Sequence, residues 1–160
     1  MLKLTLITIG NLKEKYLREA SAEYEKRLGA YCSPQIIELK EERLPDSPSD
    51  ASVRDALEKE GAVVLSKINP KSYVIALAVE GKSFTSEKLA EHIKDVSVRG
   101  YGEITLIIGS SHGLSPEVKK RADLLLSVSS LTFPHQLMRP LTLEVMYRCL
   151  SILAGSRYHK

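Results

Sequence analysis

The amino-acid sequence predicts an α/β domain built on a parallel sheet. Short apolar runs rich in Val, Ile and Leu recur along the chain, and they are nearly continuous. Strands that are buried on both faces of a parallel sheet have this pattern. Segments with helical spacing separate the runs, and strands that alternate with helices indicate an α/β fold. A length of 160 residues fits one domain, 1–160.

The elements follow in order from these patterns. The apolar runs predict strands at Leu2–Ile9, Tyr73–Val79, Ile104–Ile108 and Leu124–Val128. Helical spacing predicts helices over Leu12–Leu28, Asp50–Ile68, Thr85–Val98 and Gln136–Ala154. Ser115 and Pro116 form a typical helix start, with a capping hydroxyl followed by proline. Acids and prolines in Glu41–Asp50 predict an exposed loop.

The Gln136–Ala154 segment is apolar on almost every side. A helix of this kind must be covered on more than one side. The sheet can cover one side, and in a chain this short a partner subunit is the simplest cover for the other. The alternative is a central helix that is buried within a single chain.

Composition excludes several classes of protein. With 43% hydrophobic residues the chain can form a core without disulfides, and its two cysteines, Cys32 and Cys149, exclude a disulfide-rich secreted scaffold. No apolar run approaches the ~20 residues of a membrane span. The first residues predict a strand and not a signal peptide. The two cysteines lie far apart in sequence, so we expect a protein of the reduced cytoplasm. Four scattered histidines without a paired spacing predict no metal site.

The positive charge is concentrated near the C-terminus. The net charge is +3, and the segment from Leu131 to Lys160 carries all of it. Its basic residues are Arg139, Arg148, Arg157 and Lys160, against the single acid Glu144. This asymmetry favours an anionic partner at the C-terminal end, although an ordinary surface can also produce it.

Two loops after late strands have the character of a cofactor site. The first strand ends at Gly10 without a dinucleotide-binding or phosphate-binding glycine motif. A glycine-rich turn instead follows Ile108, and the loop from Val128 to His135 offers hydroxyls, backbone amides and an aromatic ring. Ligands of α/β proteins bind at the carboxyl ends of parallel strands. The alternative is a tight turn with no ligand.

The last residues, Ser156–Lys160, combine an aromatic ring, an imidazole and two cations. Such a set can stack on a base and neutralise phosphate. Terminal residues are also commonly frayed, which is the alternative.

Several motifs in this order resemble the ribosomal RNA large subunit methyltransferase H family, small enzymes of the SPOUT class. They are Ile108–Leu114, Thr132–Arg139, Glu144 with Tyr147 and Arg148, and Gly155 with Tyr158–Lys160. The segments Gly10–Tyr16 and Glu23–Leu28 match as well, so the resemblance covers nearly the whole chain.

The resemblance implies a three-layer α/β/α domain with a C-terminal trefoil knot, and a homodimer. It implies that S-adenosylmethionine is the methyl donor and that the product is an N3-methylated pseudouridine in 23S ribosomal RNA of the assembled ribosome. A non-catalytic α/β module that binds nucleotides or RNA is the rival interpretation, and it leaves the C-terminal residues without a role.

Matching positions carry the family's site residues onto this chain. The cofactor residues are Leu77, Gly109, Val128, Ser129, Ser130, Leu131, Thr132 and Phe133. The catalytic residues are Arg148, Tyr158 and His159. The residues expected at the RNA are His135, Arg139, Arg157 and Lys160.

The chemistry needs alignment and the removal of one proton. Methyl transfer from a sulfonium is an in-line displacement, so the enzyme must align the acceptor nitrogen with the methyl group. The imide N–H must lose its proton, either to His159 or because nearby cations favour the deprotonated base.

Three positions depart from the family pattern. Ser110 replaces a glycine, Val145 replaces a glutamine, and Pro140 lies early in the last helix. Ser110 is compatible with the turn only if its φ is negative. Pro140 must lie in the first helical turn or kink the helix.

Overall fold

A computed structural model describes all 160 residues of the chain. The strands are β1 (Lys3–Ile9), β2 (Ser33–Leu39), β3 (Tyr73–Ser83), β4 (Glu103–Ile108) and β5 (Leu124–Ser127). The helices are α1 (Lys15–Leu28), α2 (Asp50–Lys67), α3 (Ser86–Val98), α4 (Pro116–Arg121) and α5 (His135–Leu153). A short 3₁₀ helix, Arg157–His159, ends the chain. None of the helices is long and apolar enough to cross a bilayer.

The strands form one five-stranded sheet in the order β2-β1-β4-β3-β5, and every pairing is parallel. The predicted parallel sheet is therefore confirmed, with one strand more than the apolar runs indicate. The additional strand, β2, lies at the edge of the sheet and is only partly buried, so it has no continuous apolar run.

Helices cover both faces of the sheet. On one face α1, α3 and α5 pack over a core that includes Leu6, Ile93 and Met146. On the other face α2 and α4 enclose a smaller core around Val64 and Val118. This is the expected three-layer α/β/α arrangement. The trefoil knot stays a prediction.

The predicted helix starts are confirmed at two positions. The hydroxyl of Thr85 accepts a hydrogen bond from the backbone of Lys88 at the start of α3. Ser115 does the same for Val118, and Pro116 is the first residue of α4. The stretch before α2 is irregular and mostly exposed, as predicted from its acids and prolines.

Helix α5 is covered by its own chain over much of its surface. Leu143, Met146 and Cys149 are each 1% exposed in the core beneath α1 and α3. Leu137 and Leu153 are 38% and 41% exposed on the outer side. A central position within the chain therefore accounts for the inner side of the helix, and the outer side keeps exposed leucines.

Strand β3 leaves the sheet for four residues before it returns. Its pairing with β5 stops at Leu77 and resumes at Lys82. Gly81 allows this excursion because a Cβ there would lie 2.6 Å from the carbonyl oxygen of Leu125. The excursion lies at the carboxyl end of the sheet, beside the loops predicted to bind a cofactor.

Candidate active site

A cleft of about 450 Å³ opens at the carboxyl ends of β3, β4 and β5. Three segments form most of its wall: the β3 excursion, the turn after β4, and the loop after β5. All the predicted cofactor residues except Ser130 line it: Leu77, Gly109, Val128, Ser129, Leu131, Thr132 and Phe133. The two loops singled out in the sequence therefore face one cavity.

The turn from Gly109 to Gly113 is closed by its own backbone. The amide of Gly113 donates to the carbonyl of Ser110 at 2.9 Å, and Gly113 has a φ of +88°. A Cβ at Gly109 would overlap the carbonyl group of Gly113. From the sequence we expect a glycine here so that a ligand can approach the backbone. In the structure the immediate reason is that Gly109 and the carbonyl group of Gly113 lie close together within the turn.

Short-range hydrogen bonds fix the conformation of the loop after β5. The hydroxyl of Ser127 donates to the carbonyl of Ser129 at 2.9 Å, and the Ser129 hydroxyl accepts from the amide of Leu131 at 3.0 Å. Leu131 is 69% exposed and Phe133 is 37% exposed. Apolar side chains thus stand at the rim of the cleft without cover from the chain itself.

The C-terminal residues are folded onto α3 and α5. The guanidinium of Arg148 donates two hydrogen bonds to Glu144 Oε1, at 2.9 and 2.6 Å, and lies 4.8 Å from the centre of the Tyr158 ring. The Tyr158 hydroxyl donates to the same carboxylate oxygen at 3.2 Å. The predicted catalytic residues are therefore neighbours, and Glu144 joins two of them.

His159 is held from both of its ring nitrogens. Its Nε2 lies 2.7 Å from Glu87 Oε1 at the start of α3, and its Nδ1 lies 3.4 Å from Arg148 Nη1. With the Nε2 proton directed at the Glu87 carboxylate, Nδ1 keeps its lone pair. The contact with Arg148 is long for a hydrogen bond and therefore weak.

Burial raises the pKa of Tyr158 to about 12, and the neighbouring Tyr24 and Glu144 act in the same direction. A carboxylate beside a phenol disfavours a second negative charge. The Tyr158 hydroxyl is therefore a hydrogen-bond donor, and not a base, over the physiological pH range.

A family model described as a predicted SPOUT methyltransferase matches residues 2–159. The chain belongs to the SPOUT methyltransferase family. It is 52% identical over 159 residues to a protein named ribosomal RNA large subunit methyltransferase H from Streptococcus thermophilus, covering 99% of this chain and all of that protein. A protein of the same name from Bifidobacterium adolescentis is 53% identical with the same coverage.

A solved structure has the same fold at low sequence identity. It is described as a probable methylase family protein from Haemophilus influenzae, with a TM-score of 0.52 and 14% identity. The alignment covers 99% of this chain and 70% of that one. The α/β arrangement is therefore the SPOUT fold.

In this SPOUT domain α5 contributes residues to the cleft and, farther along its length, to a second group of site residues. His135 and Met138 line the cleft, whereas Arg148 contacts Tyr158 and His159. We call Arg148 together with Arg157–Lys160 the C-terminal group. The ten helical steps from Met138 to Arg148 span about 15 Å along the helix axis at the usual rise. None of Arg148, Tyr158 and His159 lines the cleft of its own chain.

Arg139 has a different environment from the other residues expected at the RNA. It is 7% exposed and bridges three elements near the end of β1. Its guanidinium donates to Glu38 at 2.7 Å and to Thr8 Oγ1 and the Gly10 carbonyl at 3.0 Å each. In this structure Arg139 joins α5 to β1 and β2, and its expected contact with RNA stays a prediction.

The remaining residues expected at the RNA are more accessible. Arg157 and Lys160 are exposed, and their side chains make no hydrogen bond or ion pair within the chain. His135 is partly buried and is the first residue of α5, at the edge of the cleft. No three His, Cys, Asp or Glu side chains lie close enough together to hold a metal ion.

The structure shows the backbone at two of the positions that depart from the family pattern, Ser110 and Pro140. No residue other than glycine has a positive φ, so Ser110 meets the condition set by its backbone. Pro140 lies inside α5, in its second turn, and not in the first. The carbonyl of Gln136 therefore lacks the amide that a helix would supply there.

Proposed function

We propose that the protein transfers a methyl group from S-adenosylmethionine to N3 of a pseudouridine in 23S ribosomal RNA of the assembled ribosome. The observation that carries the proposal is full-length identity of 52% to a protein named ribosomal RNA large subunit methyltransferase H. The cleft and the C-terminal group supply the two parts that such an enzyme needs. Since its substrate is the ribosome, the proposed location is the cytoplasm.

The cleft suits a molecule that has a purine ring and an amino-acid tail. Its volume of about 450 Å³ lies in the usual range for cofactor sites. Leu77, Leu126 and Phe133 offer apolar surface to a ring, while Ser129 and Thr132 offer hydroxyls. When bound there, S-adenosylmethionine would supply an electrophilic methyl group. The residues of the cleft would bind it and fix its orientation.

The C-terminal group suits the acceptor base and its phosphates. Tyr158 presents a ring and a neutral hydroxyl, and Arg157 and Lys160 have free charges. We assign proton removal to Nδ1 of His159, because its contact with Arg148 is long and Glu87 directs the other nitrogen. Arg148 would then stabilise the negative charge that develops on the imide.

We further propose a homodimer in which each cleft is completed by the C-terminal residues of the partner subunit. The cleft and the C-terminal group lie apart within one chain, so a second copy is the simplest source of the missing part. Exposed apolar residues at the cleft rim and on the outer side of α5 support this arrangement: Leu131, Phe133, Leu137 and Leu153.

Methylation of intact ribosomes that lack the modification, with labelled S-adenosylmethionine, tests the function directly. We expect one labelled nucleotide in 23S RNA, mapped to a pseudouridine at N3. Free 23S RNA and ribosomes that already carry the methyl group are the controls. Calorimetry on the protein alone measures donor binding. Absence of both donor binding and ribosome labelling would contradict the proposal.

A further inference from the structure

Glu60 is a buried carboxylate that the proposed reaction does not use. It lies on α2, is 5% exposed and takes part in no ion pair. Burial raises its pKa, and hydrogen bonds from Glu42 and Ser110 act against that rise. A buried carboxylate without a cation is costly, so its hydrogen-bond partners determine what it contributes.

Both carboxylate oxygens of Glu60 hold segments at the carboxyl end of the sheet. The hydroxyl of Ser110 donates to Oε1 at 3.2 Å, across 50 residues of sequence. The backbone amide of Glu42 donates to Oε2 at 3.0 Å. Ser110 is 6% exposed and follows Gly109 directly, so this hydrogen bond fixes the first half of the turn that lines the cleft.

The residue after Glu60 contacts the start of the helix that follows the turn. A Cβ at Gly61 would overlap the hydroxyl of Ser115, the N-cap of α4. Helix α2 is therefore in close contact with Ser110 in the turn and with Ser115 just beyond it. Glu60 itself does not line the cleft. It lies behind the turn, on the side away from a ligand.

We infer that Glu60 is a positioning residue for methyl-donor binding, because it holds the Gly109–Gly113 turn in its binding geometry through Ser110. The inference rests on the proposed function, since it specifies what sets the affinity of that cleft. The hydrogen bond depends on the hydroxyl of the serine at this position. A glycine at this position would have no hydroxyl to donate.

The test compares Glu60→Ala, Glu60→Gln, Ser110→Ala and the double variant Glu60→Ala with Ser110→Ala. Calorimetry gives the Kd for S-adenosylmethionine, and ribosome assays give KM for the donor and kcat at saturating donor. Each of Glu60→Ala and Ser110→Ala should raise Kd and KM roughly tenfold, in the range of measured long-range couplings, with kcat within about twofold. The double variant should be no worse than the poorer single variant.

Glu60→Gln retains an oxygen that can accept from Ser110, so it should recover most of the donor affinity. Glu58→Ala is the matched control, since Glu58 is exposed on the same helix. Thermal unfolding of every variant identifies any loss of folding. If Glu60→Ala does not fold, Glu60→Gln and Ser110→Ala still give the comparison.

The outcomes separate this inference from the proposed function. If the wild-type protein binds no S-adenosylmethionine, the proposed function fails, and this inference fails with it. If the wild-type protein binds and the Ser110→Ala and Glu60→Ala variants bind equally well, only the role of Glu60 is wrong. Additive effects of the two substitutions would also overturn it, because they would show that the two side chains act independently of each other.

Discussion

The sequence predicts that Gly109 leaves room for a ligand, and the structure shows that it also leaves room for the carbonyl group of Gly113. The Gly109→Ala variant would place a methyl group against the carbonyl of Gly113, which cannot move without opening the turn. We expect a loss of about 1–3 kcal/mol in the free energy of unfolding, as for other overpacked positions, together with weakened donor binding. Urea unfolding and calorimetry measure the two effects. Gly102→Ala is the control, because nothing lies within 4 Å of a Cβ there.

His159 and Glu87 give a second prediction at this scale. If His159 accepts the proton, His159→Ala should lower kcat by ~10²–10⁴-fold while the Kd for the donor stays unchanged. Glu87→Gln should cause a smaller loss of kcat, because the amide can still face the imidazole but without charge. Glu91→Gln, at an exposed position of the same helix, is the control. Near-wild-type turnover of His159→Ala at every pH would contradict this role, and the proton would then leave to solvent from a base whose deprotonated form is favoured by nearby cations.

Tyr158 gives a pH prediction whose sign follows from its raised pKa. An unfolded tyrosine ionises near pH 10, whereas burial raises the pKa of Tyr158 to about 12 in the folded chain. Ionisation therefore opposes folding, and the free energy of unfolding should fall as the pH rises from about 10 toward 12. The Tyr158→Phe variant should lack this contribution, so its stability relative to wild type should improve over that interval. An equal pH dependence in both proteins would contradict the assignment.

Local pattern singles out Gly109 and His159 as candidates, because a glycine turn and a terminal imidazole are each visible in one segment. It does not indicate the residues that hold them in place. Glu87 contacts His159 across 72 residues, and Glu60 contacts Ser110 across 50. The sequence does not distinguish a glutamate on the surface from one that holds another residue in place, because its hydrogen-bond partner is distant in sequence and only the fold brings the two together.

At the scale of elements, the strands that have a continuous apolar run were predicted from the sequence, and β2, which has none, was missed. Strands β1, β3, β4 and β5 have continuous apolar runs because helices cover them on both faces. Strand β2 at the sheet edge contains Pro34 and alternates between half-buried and exposed residues. This segment is a strand because it pairs with β1, and no local sequence pattern indicates that pairing.

Helix α5 carries the element-scale prediction. Leu137 is 38% exposed, so Leu137→Asp should leave the thermal midpoint near that of wild type and shift the protein from dimer to monomer in sedimentation. Leu143 is 1% exposed, so Leu143→Asp should unfold the chain because it buries a charge in the core. A wild-type protein that sediments as a folded monomer at micromolar concentration would refute the dimer.

At the scale of the whole molecule, the proposed dimer takes the two parts of each site from different subunits. His135 and Met138 in the cleft are on the first turns of α5, and Arg148 with the C-terminal residues is near its other end. One variant with a defective cleft, Gly109→Ala, and one truncated after Arg157 should each have little activity alone. The truncated chain should still fold and bind the donor, since the removed residues lie beyond α5.

Mixed dimers of these two variants distinguish a shared site from a site within one chain. In a mixed dimer the cleft of the truncated subunit meets the intact C-terminal residues of the Gly109→Ala subunit, so one of the two sites is restored. With random pairing of equal amounts, half of the dimers are mixed, and roughly a quarter of wild-type activity should return. Differently tagged, co-expressed chains allow the mixed dimer to be purified and its turnover to be measured. Activity no higher than that of the separate variants, in a mixed dimer whose one intact cleft binds the donor with wild-type affinity, would place each active site within a single chain.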